Sequence, residues 1–122
     1  MRIFTLDCPS EGGTNELYWK VLLFTKKRYA HQWHTRNTCK GLPIAKNFAA
    51  AVCDPIEKTN CLGYVLLNDK YLDIDTLVHE STHMAKTFCS RLHRLRDEEC
   101  LARSVAYFSE ALINHFWKAR RR

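Results

Sequence analysis

At 122 residues, 46% hydrophobic and 26% charged, the chain has the balance of a soluble globular fold and the length to bury one core. A single domain over residues 1–122 is therefore expected. No apolar run approaches the ~20 residues that span a bilayer, and Met1-Arg-Ile-Phe-Thr-Leu-Asp7 has no signal-peptide apolar segment, so the expectation is a cytoplasmic protein with no membrane association. A net charge of +6 and a pI near 9.1 leave room for an acidic partner or nucleic acid.

In chain order, Arg2 to Leu6 reads as a short strand, and Pro9 to Gly13 as a turn. Asn15 to Trp33 carries a helical pattern, with Leu17, Val21, Leu22 and Phe24 on one side and Lys20, Lys26 and Lys27 elsewhere. Thr35 to Pro43 is a polar loop. Phe48 to Cys53 and Cys61 to Leu67 read as two strands joined by Asp54 to Asn60. Asp73 or Asp75 caps a helix through the seventies and eighties, and a second helical pattern runs from about Asp97 to Lys118. The expected fold class is α+β: a small antiparallel sheet packed against helices, in the order β-α-β-β-α-α.

The chemistry concentrates at His79-Glu80-Ser81-Thr82-His83, an HExxH pattern. Side chains four apart on a helix lie one turn above each other, so His79 and His83 point the same way and can hold one Zn²⁺ through ring nitrogens. Glu80 follows the first ligand closely enough to act as general base on a water at the metal. Leu77, Ser81, Thr82, Met84 and Ala85 are uncharged, as a helix requires whose metal face lies in a groove while the rest packs into a core. A purely structural reading, with this helix simply packing, stands beside it.

A third ligand is expected from the next helix. Its apolar stripe is read as Leu101, Val105, Phe108, Leu112 and Phe116. Glu98 falls on that line, while Glu99 lies about 100° away. Either carboxylate also suits the positive end of the helix dipole. Glu98 is the expected metal ligand and Glu99 the alternative, the other being available to support it.

The motif HESTH, a short connection, then Asp97-Glu-Glu-x-x-Ala-Arg103 opening an apolar helix resembles the gluzincin class of zinc metallopeptidases. It is similar in particular to small phage and prokaryotic mini-gluzincins, over roughly Leu62 to Phe116. The matching residues are His79, Glu80, His83, Glu98 (or Glu99), Ala102 and Arg103. The resemblance implies a zincin-like fold, a zinc cofactor on two His and one Glu, water activation by Glu80, and a protein or peptide substrate. If phage-encoded, the protein would work in the host cytoplasm. Fourteen residues separate His83 from Glu98, a shorter interval than in the larger gluzincins. In zincin-like folds an edge strand pairs with the extended substrate, which would assign that role to Gly63 to Asn68.

The remaining residues give weaker signals. Cys8, Cys39, Cys53, Cys61, Cys89 and Cys100 include no CxxC pair, and without a secreted context most read as reduced, buried apolar residues. A second zinc site from Cys39, Cys53 and Cys61 lacks knuckle spacing. Cys89 and Cys100 flank the HExxH site closely enough for oxidation to perturb it. His31, His34 and His93 have no HExxH-like partner, and His93 reads as surface. His115 could assist from the last helix, and Tyr107 could donate to an oxyanion or pack at a helix flank. Basic residues gather at Lys26 to Arg28, Arg91 to Arg96 and Lys118 to Arg122. They read as a solvated surface or as a footprint for nucleic acid. A protease acting on DNA-associated proteins, as SprT-like metallopeptidases do, would combine the two themes. The alternative function is a non-catalytic zincin-fold protein that engages nucleic acid or a host protein through this basic surface.

Overall fold

The computed structural model describes residues 2–9, 16–37, 50–55 and 59–117. They form two compact units, Met1–Leu72 and Asp73–Arg122, and the fold class is α+β. No helix among the described residues is long and apolar enough to cross a membrane.

The first unit is a four-stranded mixed sheet in the order β1-β2-β4-β3, with strands β1 (Arg2–Asp7), β2 (Tyr18–Phe24), β3 (Ala50–Cys53) and β4 (Cys61–Asn68). Helix α1 (Lys27–Asn37) joins this unit. β1 pairs antiparallel with β2, and β3 antiparallel with β4. β2 and β4 run parallel, with Val21 opposite Val65 and Leu23 opposite Leu67. Both central strands are apolar almost throughout, as buried parallel strands are. Leu22, Phe24, Leu66 and Cys53 pack with Ala30 of α1, and Trp33 of α1 meets Tyr64 edge-to-face at 4.6 Å.

Four expectations are corrected here. The helix expected over Asn15 to Trp33 is present only from Lys27, and Tyr18–Phe24 is a strand: Leu17, Val21 and Phe24 mimic helical spacing, but Trp19, Val21, Leu22 and Phe24 are all buried, which a two-faced strand achieves. The element order consequently begins β-β-α, and the sheet is mixed rather than antiparallel. Gly63 to Asn68 is not an edge, because β4 has β2 on one side and β3 on the other, and Tyr64 to Leu67 pair with both neighbours, which leaves no open side there to receive a peptide. The expectations for 10–13, 38–43, 48–49, 56–58 and 118–122, Cys39 included, lie outside the described residues.

Gly63 sits where the sheet is tightest. The register between β2 and β4 shifts there, placing Trp19 opposite Gly63. A methyl group on Gly63 would collide with the Cys53 carbonyl oxygen and lie 2.9 Å from Cζ3 of the fully buried Trp19 ring. Gly63→Ala should therefore cost about 2–3 kcal/mol and lower the melting temperature by roughly 10 °C. An unchanged thermal transition in that variant would show that the strands shift freely.

The second unit contains α2 (Ile74–Arg91) and α3 (Glu98–Leu112), followed by a π-helical turn at Ile113–Trp117. Phe88 of α2 meets Phe108 of α3 edge-to-face at 5.9 Å. The buried line of α3 runs Cys100, Ser104, Phe108 and Leu112, whereas Leu101 and Val105 are half-buried. The expected stripe is thus displaced by one residue in the first half of the helix. Small side chains, Cys100 and Ser104, occupy its inward positions there, and large apolar residues flank them.

Candidate metal centre

Helix α2 begins where its chemistry dictates. Asp73 is the N-cap, its Oδ1 accepting from the Thr76 backbone N–H at 2.7 Å, and this bond holds its carboxyl below the usual carboxylate range. Asp75 is in the first turn, where the helix dipole favours it. The helix then buries Leu77, Glu80, Ser81, Met84, Ala85, Phe88 and Cys89 along one stripe. Ser81 Oγ donates back to the Leu77 carbonyl at 2.7 Å, and Thr82 Oγ1 to Val78 at 3.1 Å, so these hydroxyls need no outside partner.

His79 and His83 flank that stripe on the exposed side. Their Nε2 atoms are 3.2 Å apart, with ring centroids at 4.9 Å. Two zinc–nitrogen bonds of about 2.0–2.1 Å at a tetrahedral angle span about 3.3–3.4 Å, so the pair fits the bite of one zinc ion. Two neutral imidazoles sharing an N–H···N hydrogen bond have a similar separation. The donor set suits either state.

Glu80 differs from both neighbours. It is 6% exposed on the apolar side of the helix. Burial pushes its carboxyl above the ordinary value of 4.5, and the adjacent His79 charge offsets part of that rise. A carboxylate kept in a largely apolar setting beside a histidine pair has the raised basicity that general-base chemistry uses.

The third donor is less advanced. Asp97 caps α3, accepting from the Cys100 N–H at 3.1 Å and from Arg94 Nη2 at 2.7 Å, and these contacts hold its carboxyl low. Glu98 and Glu99 occupy the first turn, both exposed. Glu98 lies two residues before Cys100, about 200° around the axis, so it does not begin the inward face. Among the described residues, no three His, Cys, Asp or Glu side chains converge as a metal cluster. The fold thus assembles the histidine pair with Glu80 nearby and leaves Glu98 and Glu99 apart from it.

The connection from α2 to α3 ends the first helix through His93, whose φ of 58° is left-handed. Arg94 N–H donates to the Cys89 carbonyl at 2.8 Å and His93 N–H to Ser90 at 3.0 Å, the paired bonds of a Schellman cap with histidine where glycine is usual. His93, Arg94 and Arg96 line a surface depression there with Ser90, Leu95 and Asp97. At the other basic cluster, Lys26 and Arg28 both lie over the Tyr29 ring.

Of the other side chains weighed from sequence, Tyr107 is exposed and meets Phe108 edge-to-face at 5.5 Å, which fits a helix-flank residue. His93 and His115 are exposed, and the side chains of His31 and His34 lie outside those described. Cys8, Cys53, Cys61, Cys89 and Cys100 are buried. Sequence reasoning overlooked Ser104, whose Oγ donates to the Cys100 carbonyl at 2.7 Å and sits 3.7 Å from Cys89 Sγ. Its spacing of four from Cys100 was the available signal. Comparison with family models, curated proteins and solved structures finds no match for this chain.

Proposed function

We propose that this chain is a zinc-dependent metallopeptidase of the gluzincin type with a zincin-like fold. The observation that carries the reading is the 3.2 Å separation of His79 and His83 Nε2 on one helix, with a buried Glu80 beside them. His79 and His83 would hold the ion, with Glu98, or Glu99 in its place, as third ligand. When bound, zinc supplies a water of near-neutral pKa and polarises the substrate carbonyl. Glu80 takes the proton from the attacking water and returns it to the departing amine.

Metal-free protein titrated with zinc tests this directly. Uptake approaching one ion per chain, with chelator-sensitive hydrolysis of an unstructured polypeptide such as casein, is the expected result. Failure to take up zinc would remove the proposal. A second reading, a non-catalytic binding protein for nucleic acid or a host protein, draws on the cations of the α2–α3 turn. Stoichiometric zinc without hydrolysis, together with salt-dependent nucleic-acid affinity, would favour it.

A further inference from the structure

Cys89 near the end of α2 and Cys100 in the first turn of α3 face each other inside the helical hairpin. Their sulfurs are 3.5 Å apart, and both residues are fully buried. Ser104 Oγ stands 3.7 Å from Cys89 Sγ and donates to the carbonyl of Cys100. Two thiols in van der Waals contact on different elements need only a small side-chain rotation to reach a disulfide bond length of about 2.05 Å. The intervening turn is itself fixed, by the Arg94–Asp97 ion pair at 2.7 Å and by the Schellman cap, so the pair is held in register rather than meeting by chance.

We infer that Cys89 and Cys100 are a redox modification site, closing on oxidation into a disulfide that staples α2 to α3. The co-reactant is a peroxide. One sulfur, as thiolate, attacks a peroxide oxygen, the O–O bond breaks, and the product is a sulfenic acid with water released. The second sulfur attacks the sulfenyl sulfur, the S–S bond forms, and the hydroxyl leaves as a second water. Two thiols lose two electrons in total, and hydrogen peroxide is reduced to two waters. Burial of both groups means that the oxidant enters when the hairpin opens. The neighbouring sulfur then traps the sulfenic acid before further oxidation. The link joins the helix bearing His79 and His83 to the helix that begins at Glu98, and it does not depend on zinc.

The test uses the whole reduced chain, treated with hydrogen peroxide when folded and again in denaturant, then alkylated and digested without reduction. In the denatured chain the shorter Cys53–Cys61 loop should form at least as readily as Cys89–Cys100. Cys8 and Cys61, both buried in the first unit, are a further competing pair. In the folded chain the Cys89–Cys100 peptide pair should dominate, dithiothreitol should reverse it, and the oxidised protein should melt several degrees higher than the reduced one. Cys100→Ala should remove both the link and the shift. No enrichment of Cys89–Cys100 in the folded chain over the denatured chain would overturn the proposal, as would progression to sulfinic acid with the pair unlinked. Both outcomes are read on the parent protein, so a variant that fails to fold leaves the test intact.

Discussion

Glu80→Gln should retain zinc, lose at least about 100-fold in peptide hydrolysis, and make the metal-free protein more stable. The first two outcomes follow from the proposed role, since Gln cannot accept the proton from water. The third follows from burial. Glu80 is nearly enclosed, and its carboxyl is raised above the ordinary 4.5 by desolvation. A carboxyl whose folded value is raised favours the folded state when protonated. Its contribution is therefore fully present below pH 4.5 and is lost as pH climbs through the raised folded value. At neutral pH the native protein carries the cost of an enclosed carboxylate, and a neutral amide relieves about 1 kcal/mol of it, or a few degrees of melting temperature. Melting both proteins in chelator near pH 4 and at neutral pH checks the sign: the variant's advantage should appear only at the higher pH. Full hydrolytic activity in Glu80→Gln would sink the mechanism, whereas an absent stability gain would show only that the carboxylate is better solvated than its burial implies.

His79→Ala and His83→Ala should each abolish zinc uptake at micromolar concentrations while leaving the apo fold nearly unchanged. Both rings are exposed, and their shared contact is with each other. Exposed substitutions of this kind change stability by about 0.5 kcal/mol or less, and alanine is the better helix former. The separation between fold and metal should be visible in one experiment. Zinc at 1,000 times its dissociation constant stabilises a binding protein by about 4 kcal/mol, so the parent should gain a large thermal shift that both variants lack. The same measurement ranks the third ligand. Glu98→Ala should weaken the shift more than Glu99→Ala, and the reverse order would move the assignment by one residue. A parent that shows no shift would mean that the histidine pair is only a hydrogen-bonded surface contact.

The helices that carry the proposed chemistry were largely legible in the sequence. Asp73 and Asp75 both offer a cap for α2, of which Asp73 is the one used, and Asp97-Glu-Glu marks the start of α3, because capping is a local interaction. The strand pair Ala50–Cys53 and Cys61–Asn68 was legible for the same reason. The Tyr18–Phe24 strand was not, since a two-faced strand and a helix both tolerate apolar residues at spacings of three and four. Its parallel partner lies far along the chain, and no local pattern encodes that choice. A stripe traced through the large residues alone turns Glu98 inward. Cys100 and Ser104 take the inward line instead, where Cys100 sits in sulfur contact with Cys89. One residue of helical phase is 100°, which is enough to turn Glu98 outward.

The parallel pairing of β2 with β4 also sets a schedule for the chain during its synthesis. β1 and β2 can form their hairpin as soon as Phe24 is free, but the partners of β2 on its other side begin at Cys61. At ~5–20 residues per second, β2 waits for several seconds with an apolar edge and no strand to cover it. Such an edge is a template for pairing with another nascent chain. A version ending at Asn60 is expected to sediment as oligomers, and a monomeric one would show that β1 and β2 protect themselves. The helical hairpin carries no such delay, because its two members are joined by a short turn and can close as they emerge. Slowing translation between Phe24 and Cys61 should therefore lower the yield of folded protein, while slowing it after Arg91 should leave the yield unchanged.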